Sequence, residues 1–224
     1  MSTIVFFGPS IGKERVQELI RATHAAPIKR GDLDAVEDHD VIVILDGEFG
    51  QNLSVSPKEI MALLGRGKVV IGASSMGALR ASELDRDGMI GVGWIYERFR
   101  RAAIRHDDDV ALTYSPFDFG PMTVPMVDIA YWAECLVLAG RLNRREEGRL
   151  LRAARDIHFA ERTTETLMTA LHRAFDPSRL DALIRSSGGS IPSIKTADAE
   201  AALRFAAARG YRQVSQSGVL ETQH

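Results

Sequence analysis

Three short apolar runs mark the first third of the chain: residues 3–7 (TIVFF), 41–45 (VIVIL) and 68–72 (KVVIG). None alternates apolar with polar residues, so each predicts a strand buried on both faces. The runs end in small or polar residues: Gly8-Pro9-Ser10, Asp46-Gly47-Glu48-Phe49 and Gly72-Ala73-Ser74-Ser75. Helical spacing fills the gaps. One helix is predicted over about 12–23, with Val16, Leu19 and Ile20 on one face. Another spans about 57–65, where Ser56 can cap and Pro57 suits the first helical position. A third covers 75–85, and AAPIKRGDLDAVEDHD reads as a loop. Buried strands alternating with helices predict an α/β fold with a parallel sheet flanked by helices. Ligands of such sheets bind at the carboxyl ends of the strands, so the three strand ends should lie side by side.

Past about residue 120 the strand-like runs stop. Residues 123–140, 143–158, 163–175, 178–186 and 196–209 carry helical periodicity, broken at Gly140, Pro177 and Ser186-Ser187-Gly188-Gly189. The chain therefore reads as an α/β core over 1–120 that carries the site and an all-helical region over 121–212. Residues 213–224 read as a disordered tail, and no internal repeat stands out.

Bulk properties narrow the function classes. The 224 residues are 45% hydrophobic and 26% charged, as in ordinary globular proteins. A net charge of -2 gives no general attraction to nucleic acid or membrane. A single cysteine, Cys135, excludes an intramolecular disulfide and fits a reducing compartment. There is no CxxC motif, which argues against structural zinc. The start, MSTIVFFGPS, lacks the basic region of a signal peptide, and no apolar run is long enough to span a bilayer. A cytoplasmic protein is expected.

The densest candidate chemistry lies at the end of the third apolar run. In Ala73-Ser74-Ser75-Met76-Gly77, small residues stand two before and two after Ser75, the spacing of a nucleophile elbow. The Met76 amide could then donate to an oxyanion. Ser74 competes as nucleophile, and a strand–helix junction with capping serines is the plainer alternative. A serine needs a base. None of the six histidines sits in a hydrolase-like pattern, which leaves lysines: Lys58 at the start of the second helix, then Lys29 in PIKRGD. Spacing alone reads both as surface lysines. Gly8 to Lys13 departs from the phosphate-loop pattern. Asp46, Glu48 and Asp107–Asp109 read more simply as a turn and an acidic loop than as metal ligands, so neither metal nor cofactor is expected. Met122, Met126, Tyr131 and Trp132 read as helical core.

Several segments resemble the TfuA-like family: LDGEFGQNLSVSPKEIMALLGRGKVVIGASSMGALRASEL, GMIGVGWIYERFR and HDDDVAL, with FFGPSI, PIKRGDL and, more weakly, KTADAEAAL. The resemblance implies work beside a YcaO protein in peptide backbone thioamidation, as in RiPP biosynthesis. It further implies hydrolysis of a thiocarboxylated ThiS-like sulfur-carrier protein by a Ser–Lys pair, releasing sulfide. Carried onto this sequence, the serine is Ser75 ahead of Ser74, and the lysine is Lys58 with Lys29 as fallback. Pro57 stands where the family commonly has histidine. The same resemblance suggests a substrate pocket drawn from Gly8, Pro9, Ser10, Arg30, Asp46, Gly47, Phe49, Met76, Gly77 and Arg80. A non-catalytic adaptor for YcaO and a generic hydrolase of small esters or amides are the alternatives.

Overall fold

A computed structural model describes residues 1–50, 52–104 and 106–217, without the side chains of 210–217. The chain divides into two compact units, Met1–Arg105 with Lys195–His224, and His106–Ile194. The first holds a five-stranded parallel sheet: β1 (Thr3–Phe6), β2 (Thr23–Ala25), β3 (Val41–Ile44), β4 (Val69–Gly72) and β5 (Ile90–Gly91). Its order is β2-β1-β3-β4-β5. The chain leaves β1 toward one edge and later resumes at β3 on the other side. The crevice between the ends of β1 and β3 is therefore the switch point where doubly wound sheets bind ligands.

The unbroken apolar runs follow from burial on both faces. Ile4, Phe6, Ile42, Ile44 and Val70 face one core, closed by Ile60 and Leu63 of α2 (Pro57–Gly65) and by Ala81 and Leu84 of α3 (Met76–Leu84). Val5, Phe7, Val41, Val43, Leu45 and Ile71 face the other. Val16 of α1 (Lys13–Leu19) covers that second core together with Ala199, Ala202, Leu203 and Ala206 of the last helix, α9 (Ile194–Ser217).

The helix starting at Pro57 stands where the sequence puts it. Ser56 and Glu59 form a reciprocal capping box, and Pro57 occupies the first turn. Burial alone would raise the Glu59 carboxyl. The Ser56 hydroxyl and the Gly31 and Ser56 amides outweigh it and hold the group below its ordinary value. The Gly31 bond, 2.7 Å, also ties the PIKRGD loop to α2. The helix expected over 12–23 is shorter, because Thr23–Ala25 pairs with β1 as an edge strand. Two further elements, β5 and α4 (Trp94–Arg100), follow α3.

The second unit is helical, with α5 (Met126–Leu138), α6 (Arg144–Arg155), α7 (Thr164–Ala174) and α8 (Pro177–Ser186). Trp132 is fully buried, and its indole N–H donates to Ser187 Oγ at 2.7 Å. Buried Arg162 donates to the carbonyls of Ala154, Val124 and Ile157, tying the unit's loops to α6.

The expected break at 120/121 and the observed one at 105/106 differ for a local reason. The turn Asp107–Asp109 packs on α5, and Asp109 pairs with Arg155 of α6. The final helix returns to the sheet because its alanine stripe completes the second core. Of the tail expected over 213–224, the part to Ser217 is helical, and 218–224 lie outside the described residues.

Gly72 and Gly77 let α3 lie directly on β4 and β3. A β-carbon at Gly77 would fall on the Ile44 carbonyl, and one at Gly72 on the Gly77 carbonyl. Both obstacles are backbone, so neither can swing aside. Gly77→Ala is expected to cost about 3 kcal/mol or more of stability, as rigid overpacking does; urea unfolding measures it.

Candidate functional site

At the carboxyl end of the sheet, the three strand-end segments do converge. Asp46, just past β3, is 2% exposed. Its Oδ2 accepts from the Gly8 and Ser10 amides at 2.9 and 3.1 Å, and its Oδ1 from Ser10 Oγ at 2.5 Å. Ser74 Oγ donates to Ser10 Oγ at 2.7 Å. The loops after β1, β3 and β4 are thus joined by side chains wholly removed from water.

The two serines sit differently on the turn into α3. Ser74 takes φ of 67°, in the left-handed region, which costs a residue with a β-carbon about 1 kcal/mol. Ser75 is the N-cap at φ -121° and ψ -115°, without a side-chain cap bond. The sharp reversal that small neighbours at 73 and 77 permit is therefore present. The Ser75 and Gly77 amides both donate to the Leu45 carbonyl. Between them Met76 opens α3, where the partial positive charge of a helix start is concentrated.

The lysine that reaches this turn is neither of the two expected. Lys195 Nζ donates to Ser75 Oγ at 3.1 Å and lies 3.9 Å from Asp46 Oδ1. Lys195 and Ser75 are each 2% exposed. Lys58 is exposed on the first turn of α2, and Lys29 is exposed in the loop before it. Lys195 lies in the first turn of a 24-residue helix. That position and burial both disfavour an ammonium, whereas the nearby carboxylate favours one.

The signal for Lys195 was in the sequence as a pattern violation. Residues 195, 199, 202, 203 and 206 recur at i, i+4, i+7, i+8 and i+11, so the lysine stands on the buried alanine and leucine stripe of α9. A lysine on such a stripe is desolvated unless a partner waits for it. The helix expected over 196–209 began one residue too late to reveal this.

Other candidates divide. Gly8, Ser10, Asp46, Met76 and Gly77 line the convergence; Pro9, without an N–H, and partly buried Gly47 lie on the same loops. A β-carbon on Gly47 would strike Ile28 and Met76, so glycine is needed there for packing. The Gly8 and Ser10 amides are turned onto Asp46. Phe49 packs on the first core. The Arg80 guanidinium donates to the Val55 carbonyl and pairs with Glu83 at 2.7 Å, so it braces α3. Arg30 is exposed in the loop with Lys29. Among the described residues, no group of three or more His, Cys, Asp or Glu could hold a metal ion. No described helix is long and apolar enough to cross a membrane.

The TfuA-like protein family matches residues 46–163, just over half of the chain. The chain belongs to the TfuA-like family. That range contains Asp46, Ser74 and Ser75, while Ser10 and Lys195 lie outside it. Membership supports a role in thioamidation-related biosynthesis, and the family is associated with YcaO-dependent pathways. No curated protein matches the chain.

Two carboxylates hold α9 where it can deliver Lys195. Asp198 accepts from the Trp94 and Ile95 amides, both at 2.8 Å, so it caps α4. Glu200 accepts from Arg15 of α1 at 2.6 Å. The Arg15 guanidinium is the main reason the Glu200 carboxyl is held down at about 2, against an ordinary 4.5. A depressed carboxyl stabilises the fold above its unfolded value and loses that contribution as pH falls through the folded one. Melting temperatures of the wild type and Glu200→Gln should therefore differ above pH 5. The gap should close as pH falls toward 2.

Proposed function

We propose that the protein hydrolyses a thiocarboxylated ThiS-like sulfur carrier, with Ser75 as nucleophile and Lys195 as base, releasing sulfide for a YcaO partner. The observation that carries this reading is the 3.1 Å contact of a buried lysine amine with the hydroxyl on the elbow turn. The amine must be neutral to act. It takes the Ser75 proton as Oγ attacks the carrier's terminal thiocarboxylate carbon. The Met76 amide stabilises the developing oxyanion. Lys195 passes that proton to the departing sulfur, the C–S bond breaks, and hydrosulfide leaves. The carrier's acyl group stays on Ser75 as an ester, and the amine is neutral again. Lys195 then takes a proton from water, which attacks the ester. The carrier carboxylate departs, and the proton returns to Ser75.

With Ser75 only 2% exposed, the carrier's tail gains access only if covering residues move as it docks. The same burial supports a second reading, in which the protein is an adaptor for YcaO and its substrate and the polar cluster is structural.

A thiocarboxylated ThiS-like carrier, mixed with the full chain without YcaO, separates the two. Carrier mass and sulfide are followed together. The hydrolase reading expects sulfide and carboxylate carrier from the wild type. Ser75→Ala and Lys195→Met should each lose a factor of about 10²–10⁴, whereas Lys58→Ala should stay within about twofold, as exposed lysines remote from the chemistry do. Full sulfide release by Ser75→Ala would overturn the assignment. No release by the wild type, while a separate binding assay shows it holding YcaO and its substrate, would favour the adaptor.

A further inference from the structure

We propose that Asp46 is a positioning residue that anchors Lys195 and, through Ser10, commits the Ser74 proton elsewhere, leaving Ser75 as the one hydroxyl offered for reaction. This rests on the Ser75–Lys195 reading above and adds what selects between two adjacent serines.

The argument is one of hydrogen-bond direction. An ionised carboxylate can only accept. Asp46 Oδ1 accepts from Ser10 Oγ at 2.5 Å, so the Ser10 proton points at Asp46. Ser10 Oγ then has only lone pairs left, and Ser74 Oγ donates to it at 2.7 Å. The order Ser74 to Ser10 to Asp46 is fixed by the charge at its end. Ser74 thus gives its proton to a hydroxyl that is no base. Ser75 faces an amine instead. Nor can the first oxygen be exchanged for the second, since Oδ2 accepts from the Gly8 and Ser10 amides.

The same carboxylate acts on the amine. At 3.9 Å, Oδ1 is too far from Lys195 Nζ for a hydrogen bond but close enough for strong attraction inside a buried cluster. Asp46 approaches from the end of β3. On α9 itself, Asp198 binds the α4 amides and Glu200 binds Arg15 and Arg204. Asp46 therefore holds Lys195 beside Ser75 and favours its charged form, so the base works only at the alkaline side of its own titration.

The chain has five lysines, which makes lysine-selective NMR tractable. In full-length protein carrying ¹³C-lysine, Lys195→Arg assigns the Lys195 signal. Asp46→Asn keeps the shape and removes the charge. The Lys195 titration is then expected to move down by about one pH unit or more, as loss of an opposite charge at this range predicts. In the carrier assay, the alkaline rise of sulfide release should move the same way. Ser10→Ala should lower kcat about tenfold with little change in KM, a loss typical of a misplaced catalytic group. Ser74→Ala should cost at most about tenfold, well short of the loss in Ser75→Ala.

An unmoved Lys195 titration in folded Asp46→Asn would overturn the proposal. So would Ser74→Ala falling as far as Ser75→Ala. If Asp46→Asn fails to fold, the Ser10→Ala result decides: full activity overturns the proposal, and the kcat loss at constant KM supports it. The titration needs no carrier. A shifted Lys195 in a protein that releases no sulfide would remove the hydrolase reading and leave the Asp46–Lys195 coupling standing.

Discussion

A carboxylate buried at the mouth of a parallel sheet has to be met by donors from every side, and the architecture around Asp46 is arranged to do that. Its oxygens gather two backbone amides and a hydroxyl from the β1 loop, with an ammonium-bearing side chain from the last helix nearby. Left unmet, such a group would cost several kcal/mol. The Gly8–Ser10 loop consequently cannot drift from the end of β3, and the serine turn after β4 is tied to it through Ser10. The crevice at the strand-order reversal, which in other doubly wound sheets admits ligand phosphates or carboxylates, is filled here by the protein's own carboxylate.

That arrangement depends on how the chain ends. The helix carrying Lys195 comes from the far end of the sequence, and it packs on the sheet. Small side chains at 199, 202 and 206 let it lie close over the second core. Asp198 closes the start of α4, whose preceding Gly93 has φ of 102° and no room for a β-carbon against that carboxylate. Glu200 binds α1. Packing on the sheet and two carboxylate anchors fix one turn of helix, and that turn delivers one amine.

The Lys195–Ser75 contact joins parts of the chain that lie far apart in sequence. The Ser75 turn and Asp46 lie in the segment that matches the family, whereas Ser10 and Lys195 come from either side of it. The pair exists only when the ends of the chain have folded onto the middle.

The sequence by itself determined the local parts. Unbroken apolar runs at 3–7, 41–45 and 68–72 dictate strands buried on both faces, and Ser56-Pro57 with Glu59 dictates where α2 begins. Small residues around Ser75 dictate a sharp turn. Each is a short-range matter of burial, capping or backbone freedom, readable from neighbours in the chain. The edge strand Thr23–Ala25 escaped because three residues paired at a sheet edge carry no apolar signature. The lysine that contacts Ser75 escaped for a different reason. Lys58 lies 17 positions from Ser75 and faces water, while Lys195 lies 120 positions away and is buried against it. Only the tertiary structure could decide between them, because the contact forms by packing α9 across the sheet. The proton order from Ser74 to Ser10 to Asp46 is likewise tertiary: it joins three loops that no spacing in the sequence connects.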